Sequence, residues 1–360
     1  MYFVYKRENC PELLWDNEAL LNPLADVRFL QGLTIGKVQS LAFDLQNEAL
    51  LEILTLDTLK CAEIENISLD EEKVRMSFAC KFGFYKTKTD TNSDIDGIIE
   101  AITDAILNFN APLTKRRLLF WYENLILKRG QEKDNSTNQS SKLARIKKVV
   151  YKAIGKEGAS FKAMANRNIS NFITWFNTEN NLDSLVKAAI AHLWFITIQP
   201  FDEGNAQMAG IITNMLLARS DDTFCRFYSM HAQIKSDPKK YYSILKKTQN
   251  ENFDITNWML WFFGSMKKAL KATDTVLANI LKKSEFWKIH NKTPLNIRQR
   301  LVLNKLLSGT DFKLQSSTWA KIAGCSADTA LRDIKDLIKK GILCRKSQGG
   351  RSTNYTFTNL

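Results

Sequence analysis

The chain has 360 residues, 44% hydrophobic and 25% charged, with 51 Lys and Arg against 38 Asp and Glu and a formal charge of +13. That size predicts two or three domains, and the charge predicts a polyanionic partner. Six scattered cysteines without a Cys-x-x-Cys pair and only three histidines, His192, His231 and His290, exclude a zinc site by spacing. They fit free thiols in a reducing cytoplasm, and Glu8, Glu12, Asp16, Glu18 and Asp26 argue against a secretion signal.

In chain order the pattern is mainly α. Leu30, Leu33, Val38, Leu41 and Leu45 recur mostly at steps of three and four, which predicts one long helix with weak points at Gly32 and Gly36. Ala49 to Glu63 and Asp70 to Cys80 predict two more. Lys86 to Asn92 reads as a polar connector, Asp94 to Phe109 as an amphipathic helix, and Gly130 to Lys142 as a loop poor in apolar residues. Ile146 to Met164 alternates around Gly155 and Gly158, a β-hairpin pattern.

Two apolar runs follow, Leu185 to Ile198 with the single charge Lys187, and Ala206 to Leu217 with none. Each predicts a helix buried on all sides, and neither reaches the roughly 18 to 20 apolar residues of a membrane span, so no membrane is expected. The polar segment between them, Gln199-Pro200-Phe201-Asp202-Glu203-Gly204-Asn205-Ala206-Gln207, ends where a helix begins. Free N–H groups at such a start bind anions. Glu203 offers a carboxylate to a metal ion, and Gly204 and Asn205 can shape an anion nest. Ala206 keeps its N–H but tolerates a positive φ poorly. Phe227 to Gln249 and Asp254 to Phe263 read as further core segments, and Met266 to Lys292 as a basic helical connector.

From Pro294 onward, 12 basic residues face 4 acids, an excess of +8 that concentrates most of the charge in the last fifth of the chain. The pattern is helix, short helix, a turn at Gly324, helix, then two strands around Gly349 and Gly350. Ser326 or Asp328 would cap the third helix.

The segment QPFDEGNAQMAG resembles the signature of the Fic (filamentation induced by cAMP) family, H-P-F-x-[D/E]-G-N-G-R-x-x-R. Pro200, Phe201, Glu203, Gly204 and Asn205 match; Gln199, Ala206, Gln207 and Gly210 depart from His, Gly and the two Arg. Cys61-Ala62-Glu63-Ile64-Glu65-Asn66 resembles the family's inhibitory helix, [S/T]-x-x-x-E-[G/N], matching at Glu65 and Asn66. The resemblance implies a helical Fic core with a small β-hairpin flap, an N-terminal helical domain and an inhibitory Glu65 whose usual partner is the second motif Arg, here Gly210. It also implies that Tyr241, Tyr242 and Asn257 border a nucleotide pocket. Domains are expected at 1–92, 93–275 and 293–360, with a connector at 276–292. The last domain resembles a winged helix-turn-helix, with Thr329, Arg332 and Lys335 turned to duplex DNA and Arg345, Lys346 and Arg351 on the wing.

An active Fic protein transfers AMP from ATP with Mg²⁺ to a Ser, Thr or Tyr hydroxyl. Gln199 cannot act as the general base, since a neutral amide has no proton-accepting form near pH 7 and losing a base costs about 10²–10⁴ in rate. Gln207 and Gly210 remove two phosphate-pairing charges. His192 lies two helical turns before Gln199 and reads as a packed core residue. Two readings stay open: a cytoplasmic regulator without transferase activity that binds DNA and holds ATP weakly, and a diverged protein adenylyltransferase using Glu203 and Mg²⁺. A protein target and a homodimer are further expectations of the resemblance.

Overall fold

Asp16 starts the first helix by accepting from the N–H groups of Glu18 and Ala19, as an N-cap does. Helix α1 then spans Asn17–Gln39. Periodicity predicted one helix running on to Leu45. Instead α1 stops at Ser40, whose hydroxyl donates to the Lys37 carbonyl, and α2 begins afresh at Phe43 and runs to Ile64. Gly32 and Gly36 do not break α1. Asp70 caps α3, Glu71–Lys81, through the Lys73 N–H. Helices α4 (Ser93–Leu107) and α5 (Lys115–Ile126) follow.

The computed structural model describes residues 13–84, 93–126, 159–179, 181–201, 203–223, 225–250, 254–307, 313–346 and 353–358. The connector at 86–92, the loop at 130–142 and residues 146–158 of the expected hairpin lie outside them. The remainder of that hairpin prediction is corrected: Ala159 to Met164 open helix α6, Ala159–Thr178.

Helices α7 (Ser184–Ile198) and α8 (Asn205–Asp221) pack on each other at the centre of the first compact unit, Met1–Asp274. Leu185 through Ile196 and Gln207 through Ala218 are buried without a break. A helix apolar on every side has no stable place except inside. Helices α2, α4 and α5 pack on α8, and α2 also packs on α9, Met230–Ser236. Helix α10 is Pro238–Asn250. Helix α11 runs unbroken over Thr256–Ile289, so the core segment expected at Asp254 to Phe263 and the basic connector expected from Met266 are one helix. Its Trp258 is fully buried and donates to the Ala189 carbonyl of α7 at 2.9 Å.

The second unit is Thr275–Leu360. It holds α12 (Ile297–Leu307), α13 (Ser316–Ala323), α14 (Ala327–Lys339) and strands β1 (Leu343–Arg345) and β2 (Tyr355–Phe357). Gly324 ends α13 at φ +59°, and Ser326 caps α14 through the Thr329 N–H. The strands are antiparallel, with Cys344 opposite Thr356. Val302, Leu303, Trp319, Ile334, Leu337 and Leu343 form the core of this unit. The described residues are thus mainly helical, and none of their helices is long and apolar enough to cross a membrane.

Candidate functional site

The loop from Gln199 to Gly204 joins the two central helices, and its own residues fix its shape. Gln199 adopts φ +46° and donates its N–H to the Phe195 carbonyl at 3.2 Å, ending α7. This is the left-handed cap that helices commonly use, although a side chain here costs strain of about 1 kcal/mol. Phe201 lies flat on Tyr122 of α5, with centroids 4.0 Å apart and planes 8° apart. Asn205 closes the loop. Its side chain accepts from the Phe201 N–H at 3.1 Å and donates to the Phe201 carbonyl at 2.6 Å. Gly204 precedes α8 at φ +74°, and no side chain caps the helix start. The start of α8 therefore keeps the anion-binding disposition of an uncapped helix N-terminus. Ala206 is helical and needs no positive φ.

The side chains that would work with that helix start are placed otherwise. Gln199 and Glu203 are exposed. Gln207 is buried, 1% exposed. Gly210 is buried one turn further along α8, beneath the imidazole of His231 from α9. A Cβ at position 210 would stand 2.1 Å from His231 Nε2, far inside contact distance.

His231 is held there by a residue that sequence reasoning passed over. Asp57 of α2, 2% exposed, accepts from Asn214 Nδ2 at 3.0 Å, Arg226 Nη2 at 3.0 Å and Ser229 Oγ at 2.6 Å. Its Oδ1 also stands 3.0 Å from His231 Nδ1. Burial alone would raise the Asp57 carboxyl. The charges of His231 and Arg226 outweigh it and hold the group far below the usual carboxylate range. Burial would likewise lower His231, but Asp57, with Cys61 as a lesser partner, lifts it to about 10. Helix α2 thus enters the core through a buried ionic cluster. The available signal was a carboxylate in phase with Leu50, Leu54 and Cys61 on the apolar face of α2.

His192 is the packed residue that its position predicted. Thr213 Oγ1 donates to the Ala209 carbonyl at 2.7 Å, so it accepts from His192 Nδ1 at 2.9 Å. Nε2 then accepts from the Tyr241 hydroxyl at 3.0 Å. Burial lowers His192 to about 3, so the ring is neutral and both nitrogens are engaged. His192, Gly210, Thr213, Asn214 and His231 share one small cavity. Glu65 ends α2, and Asn66 follows at φ +58° with the Ile67 N–H donating to the Ala62 carbonyl at 3.0 Å, a Schellman closure. The Tyr242 hydroxyl is raised by burial and then by the Glu65 charge, and Tyr241 is raised by burial, Tyr242 and Glu65. That places Glu65 beside α10. Asn257 is exposed on α11.

Residues 112–217, which contain this loop and both central helices, match the Fic/DOC family model. The chain carries a Fic-family domain. Residues 3–84 match a model described as a domain of unknown function, DUF4172. The structure of Fic-1 (aa134 - 508) from C. elegans aligns with 71% of this chain and 71% of its own, at 13% identity and a TM-score of 0.50, a likeness of fold. A Fic domain containing signaling protein from Bacteroides thetaiotaomicron aligns with 72% of this chain and 98% of its own, at 15% identity and a TM-score of 0.48. No curated protein matches the chain.

The Fic domain fits the family's Mg²⁺ and ATP poorly. Gln207 and Gly210 supply no charge to the phosphates, and the one matching carboxylate, Glu203, is exposed. What remains for a phosphate is the backbone at the start of α8.

In the second unit Arg332 and Lys335 are exposed on α14, and neither has an ion-pair partner among the described residues. Thr329 is half-buried, its hydroxyl 2.9 Å from that of Ser326. Arg345 and Lys346 are exposed at the end of β1, and Arg351 lies outside the described residues. Two of the three acids of α14 are committed elsewhere: Asp333 is bound by Arg298 at 2.8 Å, and Asp336 accepts from Gln299 and Lys340; the third, Asp328, is exposed in the first turn.

Proposed function

We propose that this chain is a regulatory protein of the Fic fold that does not transfer AMP and that holds duplex DNA through a winged helix-turn-helix formed by its second unit. The observation that carries the first part is the pair Gly210 and His231. The imidazole fills the space where a side chain at 210 would begin, so the family's second arginine is excluded by packing as well as by sequence. Gln199 in the place of the base removes the proton acceptor. Weak ATP binding through the N–H groups of α8 is compatible with this arrangement.

The diverged-transferase reading has one observation in its favour: the uncapped start of α8 beside the exposed Glu203. Labelled ATP with magnesium separates the two. We expect no labelled protein from the chain or from Glu65→Gly, and self- or partner-labelling above background in either would establish the second reading. The DNA reading rests on the exposed cations of α14 and β1. Arg332→Ala with Lys335→Ala should weaken duplex binding and make its salt dependence shallower by about 2 charges. Unchanged binding and slope would refute it.

A further inference from the structure

The excess charge of the chain is concentrated in the second unit. Through Asp274, 35 Lys and Arg are nearly balanced by 33 acids. Against that background α10 stands out. It carries Lys239, Lys240, Lys246 and Lys247 and no acid. Tyr241, Leu245 and Thr248 form its buried side, while all four lysines, with Tyr242 and Ser243, are exposed. The ammonium groups of Lys239, Lys240 and Lys246 make no ion pair among the described residues.

The other side of the helix fastens it to α7 close to the motif loop. Gln249 of α10 donates to Thr197 of α7 at 2.9 Å, two residues before Gln199, and Tyr241 binds His192. The nearby acids are Asp237, whose carboxylate accepts from the Lys240 N–H, and Glu65 beside Tyr242. Lys239, Tyr242 or Ser243, and Lys246 follow one another at steps of three and four residues, about 5 Å apart along the helix. Lysine charges interleaved with hydroxyl side chains are the set that contacts a phosphate backbone. α10 has no arginine, whose fork fixes the geometry of a carboxylate or a phosphate alike; its lysines are point charges, which suit a repeating backbone charge without demanding one geometry.

We propose that the exposed face of α10 binds the phosphate backbone of nucleic acid without reading sequence. It gives the first unit a nucleic-acid surface of its own, apart from that of the second unit.

The test uses the full chain and a labelled DNA duplex of arbitrary sequence, read by fluorescence anisotropy over a salt series. Lys239→Gln, Lys240→Gln and Lys246→Gln together should lower affinity about tenfold or more and make the slope of log affinity against log salt shallower by about 2 to 3. The melting temperature should not move, because these side chains pack on nothing. If the triple variant does lose its melting transition, Lys246→Glu alone is measured instead, with a smaller loss in the same direction.

Unchanged affinity and slope overturn the proposal. So does a poly-glutamate peptide that binds the lysine face and displaces the duplex from it at equal concentration, which marks a docking site for acidic polypeptide. The same series on Arg332→Ala with Lys335→Ala keeps the two DNA readings apart. Loss there alone refutes the α10 surface, and loss only in the lysine variant refutes the second unit's role.

Discussion

The middle of α2 and its C-terminal end meet the rest of the first unit in different ways. At the middle, Asp57 is buried among Arg226, His231, Ser229 and Asn214. At the end, Glu65 is half-buried beside Tyr241 and Tyr242. The family pattern assigns the inhibitory contact to the end. Here the geometry puts the strong electrostatics eight residues earlier, so α2 is fastened by a contact that the motif does not contain. A buried ion pair need not make a protein more stable than an apolar replacement would, but removing one partner leaves a charge stranded.

The sharpest way to break the comparison is therefore Asp57→Ala. It leaves Arg226 and His231 charged and buried, and should cost about 3–5 kcal/mol in chemical denaturation. The pH dependence follows from His231. Its folded pKa of about 10 lies above the ordinary 6.5, so the stability it contributes is full below about pH 6.5 and is lost as pH rises through about 10. The melting temperature should fall over that interval and flatten in His231→Asn. A flat profile in the unaltered chain would show that the pair is not charged.

Gly210→Ala comes next. Its Cβ meets His231 Nε2 at 2.1 Å and Cε1 at 2.7 Å, and overpacking of this kind costs about 1–3 kcal/mol. In a His231→Ala background the same change should cost almost nothing, since the obstruction is gone. That non-additivity, measured as a double-mutant cycle, separates a steric exchange from a general intolerance of α8. It also sets the order of any attempt to rebuild the family motif: Gly210→Arg must be paired with removal of the imidazole, or it unfolds the site that it is meant to restore.

How much of this was legible in the sequence depends on the range of the interaction. The runs at 185–198 and 206–217 gave α7 and α8 because a helix apolar on every side has only one place to go. Ser326, with Asp328 as the alternative, was readable as a cap because capping is local. The break at Ser40–Ala42 was not, since the apolar spacing continues across it. Nor was the unbroken α11, where Gly264 sits on an open side and costs the helix little. The Fic loop was readable because backbone-built anion sites need Gly and Asn at fixed spacing. The Asp57 cluster was not, because its members lie at 57, 214, 226, 229 and 231 and only the packing of α2 on α8 and α9 brings them together.

The smallest expected effect is at Glu65. Its side chain lies at the end of α2, where a negative charge opposes the helix dipole, so Glu65→Gln should change stability by less than about 0.5 kcal/mol. The informative readout is Tyr242. Burial is the larger cause of its raised hydroxyl and the Glu65 charge the second. Neutralising Glu65 should therefore lower the pH at which Tyr242 ionises without returning it to that of a free tyrosine, as ultraviolet difference titration against a Tyr242→Phe control would record. An unmoved Tyr242 would place the Glu65 carboxylate away from α10, and the contrast between the two ends of α2 would then rest on Asp57 alone. A loss of stability comparable to that of Asp57→Ala would mean instead that the latch of the family pattern still operates, with a partner other than the residue at 210.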